Sequence, residues 1–249
     1  MPISTLARLT KLAPLPRSFY SRDPRLVARE LLGKLLIRRG GPRPASCAEW
    51  GEGEDAGAEC ENGEYGEPSL LAGRIVEAEA YLGVTDPGAH AYCGLTARNA
   101  VLFGPPGHAY VYFIYGNHYC TNVNCQPAGD AGCVLLRALE PVCGFRSMAA
   151  LRGIRGFASD GALRPVQLRQ LTSGPGRLSQ ALGITRERDN AKDLCSPSSD
   201  LYIAGDGSPV PEISATPRIN VTRAPCDEWR FVIPGNPFVS GPRTARALK

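Results

Sequence analysis

Gly73-Arg-Ile-Val-Glu-Ala-Glu-Ala-Tyr-Leu82 alternates along its length. Read with a period of two, it places Ile75, Glu77, Glu79 and Tyr81 on one face and Val76, Ala78 and Ala80 on the other, the pattern of a strand. The small face suits inward packing, and the opposite face is chemically loaded. Downstream, Ala109 to Ile114 (AYVYFI) is an aromatic strand that stops at Tyr115-Gly116-Asn117, a hairpin tip. Thr121 to Asn124 and Cys133 to Leu139 (CVLLRAL) supply two more strands, the second continuously apolar except for Arg137. Upstream, Arg25 to Ile37 reads as helix, turn and strand through Gly33. Helical patterns follow around Ser147 to Arg155 and from Gly174, where Pro175 suits a helix start, with a polar stretch between them. Short strands at Leu201 to Ala204 and Trp229 to Ile233 close the chain. Strands and helices mix without regular β-α-β alternation, which predicts an α+β single domain.

Between the first two strands, the stretch from Gly40 to Pro68 is rich in Gly, Glu and Pro and nearly free of aliphatic side chains. Such a segment cannot offset its ordering entropy by burial, so a disordered acidic insertion is expected at about 40–70. From Arg43 to Pro68 it holds eight acidic residues and one basic residue, a charge of −7. The rest of the chain then holds 27 basic against 16 acidic side chains, the balance of a body that faces nucleic acid. Arginines outnumber lysines 24 to four. Arginine is the better bidentate phosphate ligand, although a GC-rich genome would give the same skew.

The nine cysteines include no C-x-x-C spacing, and Cys120, Cys125 and Cys133 fall in strand-like segments. Free, mostly buried thiols are expected, with neither a metal site nor a disulfide framework. No apolar run reaches the roughly 20 residues of a membrane span, so no membrane partner is expected. The first 22 residues carry Arg8, Lys11, Arg17 and Arg22 and no acid, a charge pattern shared with organelle-targeting leaders. A flexible arm over residues 1–18 is the plainer expectation, followed by one domain over 19–242 and a basic tail over 243–249.

Several segments together resemble the alkyladenine (3-methyladenine) DNA glycosylase family. They are R-I-V-E-A-E-A-Y-L-G (Arg74 to Gly83), G-A-H (Gly88 to His90), A-R-N (Ala97 to Asn99) and P-G-H-A-Y-V-Y-F-I-Y-G (Pro106 to Gly116). T-N-V-N (Thr121 to Asn124), C-V-L-L-R-A-L-E-P (Cys133 to Pro141) and S-G-P-G-R-L-S-Q-A-L-G-I (Ser173 to Ile184) continue it, flanked by F-Y-x-R-D-P near Phe19 and G-N-P-F-V-S near Gly235. Order and spacing agree over most of the chain outside the acidic insertion. The resemblance implies a curved, mainly antiparallel sheet flanked by helices, with a protruding β-hairpin. It also implies excision of alkylated or deaminated purines, namely 3-methyladenine, 7-methylguanine, hypoxanthine and ethenoadenine, from double-stranded DNA by a monomer without cofactor. If the source is eukaryotic, a nuclear location follows.

Such an enzyme needs a base for water, flat walls for the extruded nucleobase, a wedge for the vacated stack and cations on phosphates. Glu79 is the candidate general base, although Glu77 is presented equally well two residues earlier and only the resemblance separates them. Arg137 by resemblance helps hold Glu79 and the water; a structural ion pair with Glu140 or Glu77 is the competing reading. Tyr81 and His90 resemble the sandwich around the flipped base, with Tyr112 beside it. Tyr115 resembles the wedge that enters the minor groove. Asn122 resembles the residue that crowds the exocyclic amine of guanine, against the plainer reading of a strand-edge Asn bonded to a turn. Arg177 and the carbonyl of Ile219 are carried over for phosphate and water contacts. The family usually has Gly where Asn220 stands, which puts the Ile219 role in doubt. Lys11, Lys34, Lys192 and Lys249 all lie outside these motifs, so Schiff-base chemistry is not expected and the enzyme is read as monofunctional. A catalytically silent lesion-binding protein and an enzyme of free nucleosides are the competing classes; the intact Glu79 opposes the first, and Tyr115 with the basic surplus opposes the second.

Overall fold

The computed structural model describes residues 3–40, 70–114, 116–155, 163–223 and 226–241. Its strands are β1 (Leu35–Arg38), β2 (Leu71–Tyr81), β3 (Ala109–Ile114), β4 (His118–Asn124), β5 (Cys133–Cys143), β6 (Leu201–Ala204), β7 (Ser214–Thr216) and β8 (Arg230–Val232). They form one sheet in the order β3-β4-β5-β2-β1-β6, with β8 bridging β2 and β7, and each of these pairings is antiparallel. The helices are α1 (Ile3–Thr10), α2 (Arg17–Tyr20), α3 (Pro24–Leu31), α4 (Phe145–Leu151), α5 (Pro165–Thr172), α6 (Pro175–Ala181) and α7 (Arg186–Asp189). This is the α+β domain expected from the mixed pattern.

β2 lies at the centre because it is paired along both edges. β5 runs along one; β1 takes residues 71–74 of the other and β8 takes residues 77–79. Its period-two reading needs one correction. Between Ile75 and Glu77 the register advances two residues on β2 for one on β5, and between Glu77 and Ala78 it advances one for two. The two bulges leave Val76 and Arg137 without register partners between β2 and β5 and re-aim the side chains on either side. Ile75 therefore joins Ala78 and Ala80 in the main core, while Val76 moves to a small cluster with Ala138, Val232 and Val239. Glu77, Glu79 and Tyr81 remain together, one residue out of phase with Ile75.

The main core packs Val27, Ala28 and Leu31 of α3 against Ile75, Ala78 and Ala80 of β2, Val134, Leu136 and Leu139 of β5, and Leu178 and Ala181 of α6. α3 starts where Asp23 accepts a hydrogen bond from the Arg25 amide at 2.8 Å with Pro24 in the first turn. It ends before Gly33, whose φ of +84° turns the chain into β1. β5 extends past the expected Leu139 to Cys143, since Pro141 falls opposite Gly73 beside a register shift where a missing donor is tolerated. The polar stretch expected between the two helical patterns contains α5.

The expected flexible arm over 1–18 is packed where it is described. Leu9 is buried with Leu35, Ile37 and Tyr202, the Leu15 amide donates to the Ile203 carbonyl at 2.8 Å, and Arg8 bonds the Asp206 carbonyl. Leu9 of α1 and Leu12 just after it pack on the face of β1 and β6 that carries Leu35, Ile37, Tyr202 and Ala204. Except at its edges, the acidic segment expected as a disordered insertion at about 40–70 lies outside the described residues, as does the expected basic tail over 243–249. That segment joins β1 to β2, adjacent strands.

Candidate active site

Glu79 is fully buried near the C-terminal end of β2. One carboxylate oxygen accepts the Tyr81 hydroxyl at 2.8 Å and lies 3.2 Å from the Nη1 of Arg137; the other accepts the Ile219 amide at 2.7 Å. Those three partners line a cavity of about 590 Å³, so the carboxylate sits directly behind the cavity wall and not in it. The resemblance implied a role for the Ile219 carbonyl, whereas it is the amide that reaches Glu79. Asn220 has φ +59°, a left-handed conformation that Gly adopts freely and that Asn tolerates better than most residues, so its replacement of Gly is compatible with the turn.

Glu77 faces the same side but is closed off. Its Oε1 accepts from the Nε of Arg137 at 2.8 Å, the Nε of Arg230 at 2.7 Å and the Ser240 hydroxyl at 3.0 Å; its Oε2 accepts from the Ser240 amide at 2.6 Å. Burial opposes its charged form, yet the two guanidinium groups and Ser240 more than offset this and lower its pKa below the ordinary 4.5. Arg137 forms the ion pair with Glu77 that the competing reading expected and also lies within 3.2 Å of Glu79. Glu140 instead accepts from Asn236. Two carboxylates and two guanidiniums balance in charge, the condition under which such groups are buried.

The walls are aromatic. Tyr81, His90, Tyr110 and Tyr112 all line the cavity, with Asn122, Cys120 and Leu135 among the deeper residues. The His90 ring is edge-on to Tyr112 at 4.5 Å between centroids, and its Nδ1 is 3.0 Å from the Tyr110 hydroxyl. Desolvation and the charge of Arg98 lower the His90 pKa, which keeps the imidazole neutral near pH 7. Burial raises the Tyr81 and Tyr112 phenols strongly and pushes Tyr110 up to about 12, so these hydroxyls stay protonated. Asn122 donates to the Tyr110 carbonyl at 3.0 Å across the β3–β4 pair, and its side-chain oxygen accepts from the Cys133 thiol at 3.8 Å. Asn122 is paired on both sides within β4 and bonds a strand carbonyl, not a turn, so the plainer reading of a strand-edge residue is corrected; its side chain also lines the cavity.

Arg177 is exposed at the cavity edge, beside Ser173, Gly174, Pro175 and Gly176. Gly176 lets α6 approach the hairpin, since a Cβ there would stand 2.9 Å from the His118 ring. β4 pairs β5 only over 122–124, so the distal half of the β3–β4 hairpin extends beyond the sheet. Tyr115, expected at its tip as the wedge, lies outside the described residues. Tyr110 was not among the candidates, although the period of two that exposed Tyr112 also places Tyr110 on its face. Arg218, Asp86 and Ser240 were missed as well, and no local pattern marks them.

Comparison with known proteins bears on this cavity. The family model described as methylpurine-DNA glycosylase matches residues 64–237. A Koribacter versatilis protein is 52% identical over 243 residues, covering 98% of this chain and 99% of its own. Proteins of Burkholderia lata (40% identical, 94% of each chain) and Alkaliphilus oremlandii (38% identical, 91% of this chain and 98% of theirs) are also similar. All three carry the name "Putative 3-methyladenine DNA glycosylase". The chain is a hydrolase of N-glycosyl bonds that works in DNA repair. Within that class it belongs to the methylpurine-DNA glycosylase family.

Proposed function

We propose that this enzyme removes alkylated and deaminated purines, among them 3-methyladenine, 7-methylguanine, hypoxanthine and ethenoadenine, from double-stranded DNA. Glu79 activates the water that attacks the sugar carbon. The observation that carries this reading is a fully buried carboxylate held by Tyr81, Arg137 and the Ile219 amide directly behind an aromatic cavity. An extruded purine stacks between Tyr81 and His90 with Tyr112 at its edge, and stacking of about 1–3 kcal/mol per base accommodates several base types. Water loses its proton to Glu79 as its oxygen bonds the anomeric carbon; the N-glycosidic electron pair leaves with the base. A cationic alkylated purine departs neutral, whereas a neutral lesion must acquire a proton.

Asn122 faces the cavity with its amide pinned by Tyr110 and crowds the exocyclic amine of normal guanine. Tyr115 fills the vacated stack at the hairpin tip, and Arg177 meets a backbone phosphate. None of Lys11, Lys34 and Lys192 lines the cavity, which supports a monofunctional hydrolase leaving an abasic site. Acting as a monomer, it is tested with a duplex carrying one hypoxanthine. Incubation followed by alkali should cut the strand with wild type and leave it intact with Glu79→Gln. Equal cutting by both refutes the role of Glu79, and tight lesion binding by an inactive wild type selects the silent reader instead. Tyr115→Ala should weaken lesion-duplex binding while sparing a substrate already single-stranded at the lesion; equal losses on both refute the wedge.

A further inference from the structure

Behind the cavity wall, Arg218 and Asp86 form a second buried ion pair, with side chains 1% and 0% exposed. The fork is bidentate, Nη1 donating to Oδ2 at 2.6 Å and Nη2 to Oδ1 at 2.9 Å, while Nη1 also donates to the Ala80 carbonyl at 3.1 Å. The guanidinium is sandwiched between the Tyr81 ring at 4.7 Å and the Trp229 ring at 4.8 Å. Tyr81 lines the cavity and Arg218 does not, so the cation occupies the rear of that ring and leaves its front free for a stacked base.

Asp86 in turn accepts the Leu82 amide at 3.1 Å and the Gly88 amide at 2.8 Å, which fixes the loop that delivers His90. Gly88 has to be glycine for the two loops to meet, since a Cβ there would lie 2.6 Å from Val221 and 2.9 Å from Arg218. The residue after Arg218 is Ile219, whose amide bonds Glu79. One pair of side chains thus ties three separate segments that each carry a working group. Packing alone would not select such a pair, because an apolar pair of similar volume avoids the desolvation cost of two charges. A planar fork that reaches acceptors on two segments while both its faces stack on rings is a task lysine cannot perform.

We propose that Arg218 and Asp86 are positioning residues for base excision, setting the Tyr81 ring, the His90 loop and the Ile219 amide on Glu79 as one unit. This rests on the reading of Glu79 and Tyr81 as the reacting centre. The full-length protein carrying Arg218→Lys or Asp86→Asn is assayed under single-turnover conditions for methylpurine release from methylated duplex DNA. Affinity is measured in parallel for a duplex with a tetrahydrofuran abasic analogue. The rate constant should fall by about 10²-fold, as for reactants displaced by a fraction of an ångström to an ångström. The reaction amplitude, which reports the folded fraction, and the affinity should change less than about threefold, well under that rate effect.

A rate constant within about threefold of wild type, or a deficit confined to amplitude, overturns the proposal. If Arg218→Lys does not fold, Asp86→Asn decides, because it keeps the shape and an acceptor for one of the two loop amides. Glu79→Gln in the same assay separates the two possible failures. Wild-type rates from Glu79→Gln remove the reacting centre and the positioning role together, whereas an inactive Glu79→Gln beside normal Arg218 and Asp86 variants removes the positioning role alone.

Discussion

Glu77 and Glu79 stand two residues apart on one face of one strand, equally buried, and their surroundings assign them opposite work. Glu77 is met by Arg137, Arg230 and both donors of Ser240, which close it off from the cavity. Glu79 has one guanidinium nitrogen, one phenol and one amide, and all three belong to residues on the cavity wall. A carboxylate taken up by two guanidiniums and both donors of one serine is an anchor. One held by a few donors at the edge of a cavity is placed to receive a proton. Apart from Tyr81, the residues that divide the two lie far along the chain, not in the strand.

The most severe way to break this contrast is to open the anchored side. Arg230→Met should cost about 3–5 kcal/mol in urea unfolding, because removing one partner of a buried pair leaves the other charge uncompensated. Molecules that remain folded should still excise bases at near wild-type rates, since Arg230 stands opposite Glu79 across the β2–β8 pair but sends its guanidinium to Glu77; inactive folded protein would merge the two regions. Removing the phenol from the working side is milder for the fold and sharper for the chemistry. Tyr81→Phe deletes a hydrogen bond to a charged group, about 1.5–3 kcal/mol, and should slow single-turnover excision about tenfold or more while preserving lesion binding by the ring.

The pH dependence of stability sharpens the contrast from another direction. The folded pKa of Glu77 is depressed below 4.5, so its contribution is complete above that value and is lost as pH falls through the lower folded pKa. Urea unfolding of wild type should weaken with acidification below about pH 4.5, and Glu77→Gln should show a flatter profile over the same range; an identical slope would contradict the anchor. The smallest expected effect is at Asn220. Asn220→Gly should change stability by less than about 0.5 kcal/mol, while Asn220→Ala should lose about 1 kcal/mol to the left-handed backbone, both read by thermal melting.

Strict local patterns were legible. The alternation of β2, the aromatic run of β3 with its tip, and the apolar run Leu201–Ala204 needed no tertiary context. The paired bulges did not show, because Ile75 and Val76 are both β-branched and either can occupy a core face. α5 was hidden by its polar composition, and α1 by the charge of the N-terminal stretch. At the site, Tyr110 was within reach of the same periodicity that exposed Tyr112. Glu77 and Glu79 could not be told apart locally, since Arg137 and Arg230 lie 60 and 153 positions from Glu77. Arg218 and Asp86, 132 positions apart, meet only in the folded chain.

The contrast is tested most directly by single-turnover base excision with Glu77→Gln and Glu79→Gln, each divided by its folded fraction. Glu79→Gln also removes one of two buried carboxylates and should melt below wild type, but its folded molecules should lose about 10²–10⁴-fold in rate, the range for removal of a general base. Glu77→Gln should melt well below wild type, with folded molecules that keep their rate within about tenfold, far less than the loss of a general base. Equal rates from folded Glu79→Gln and wild type, or a folded Glu77→Gln as inactive as its neighbour, would contradict the assignment.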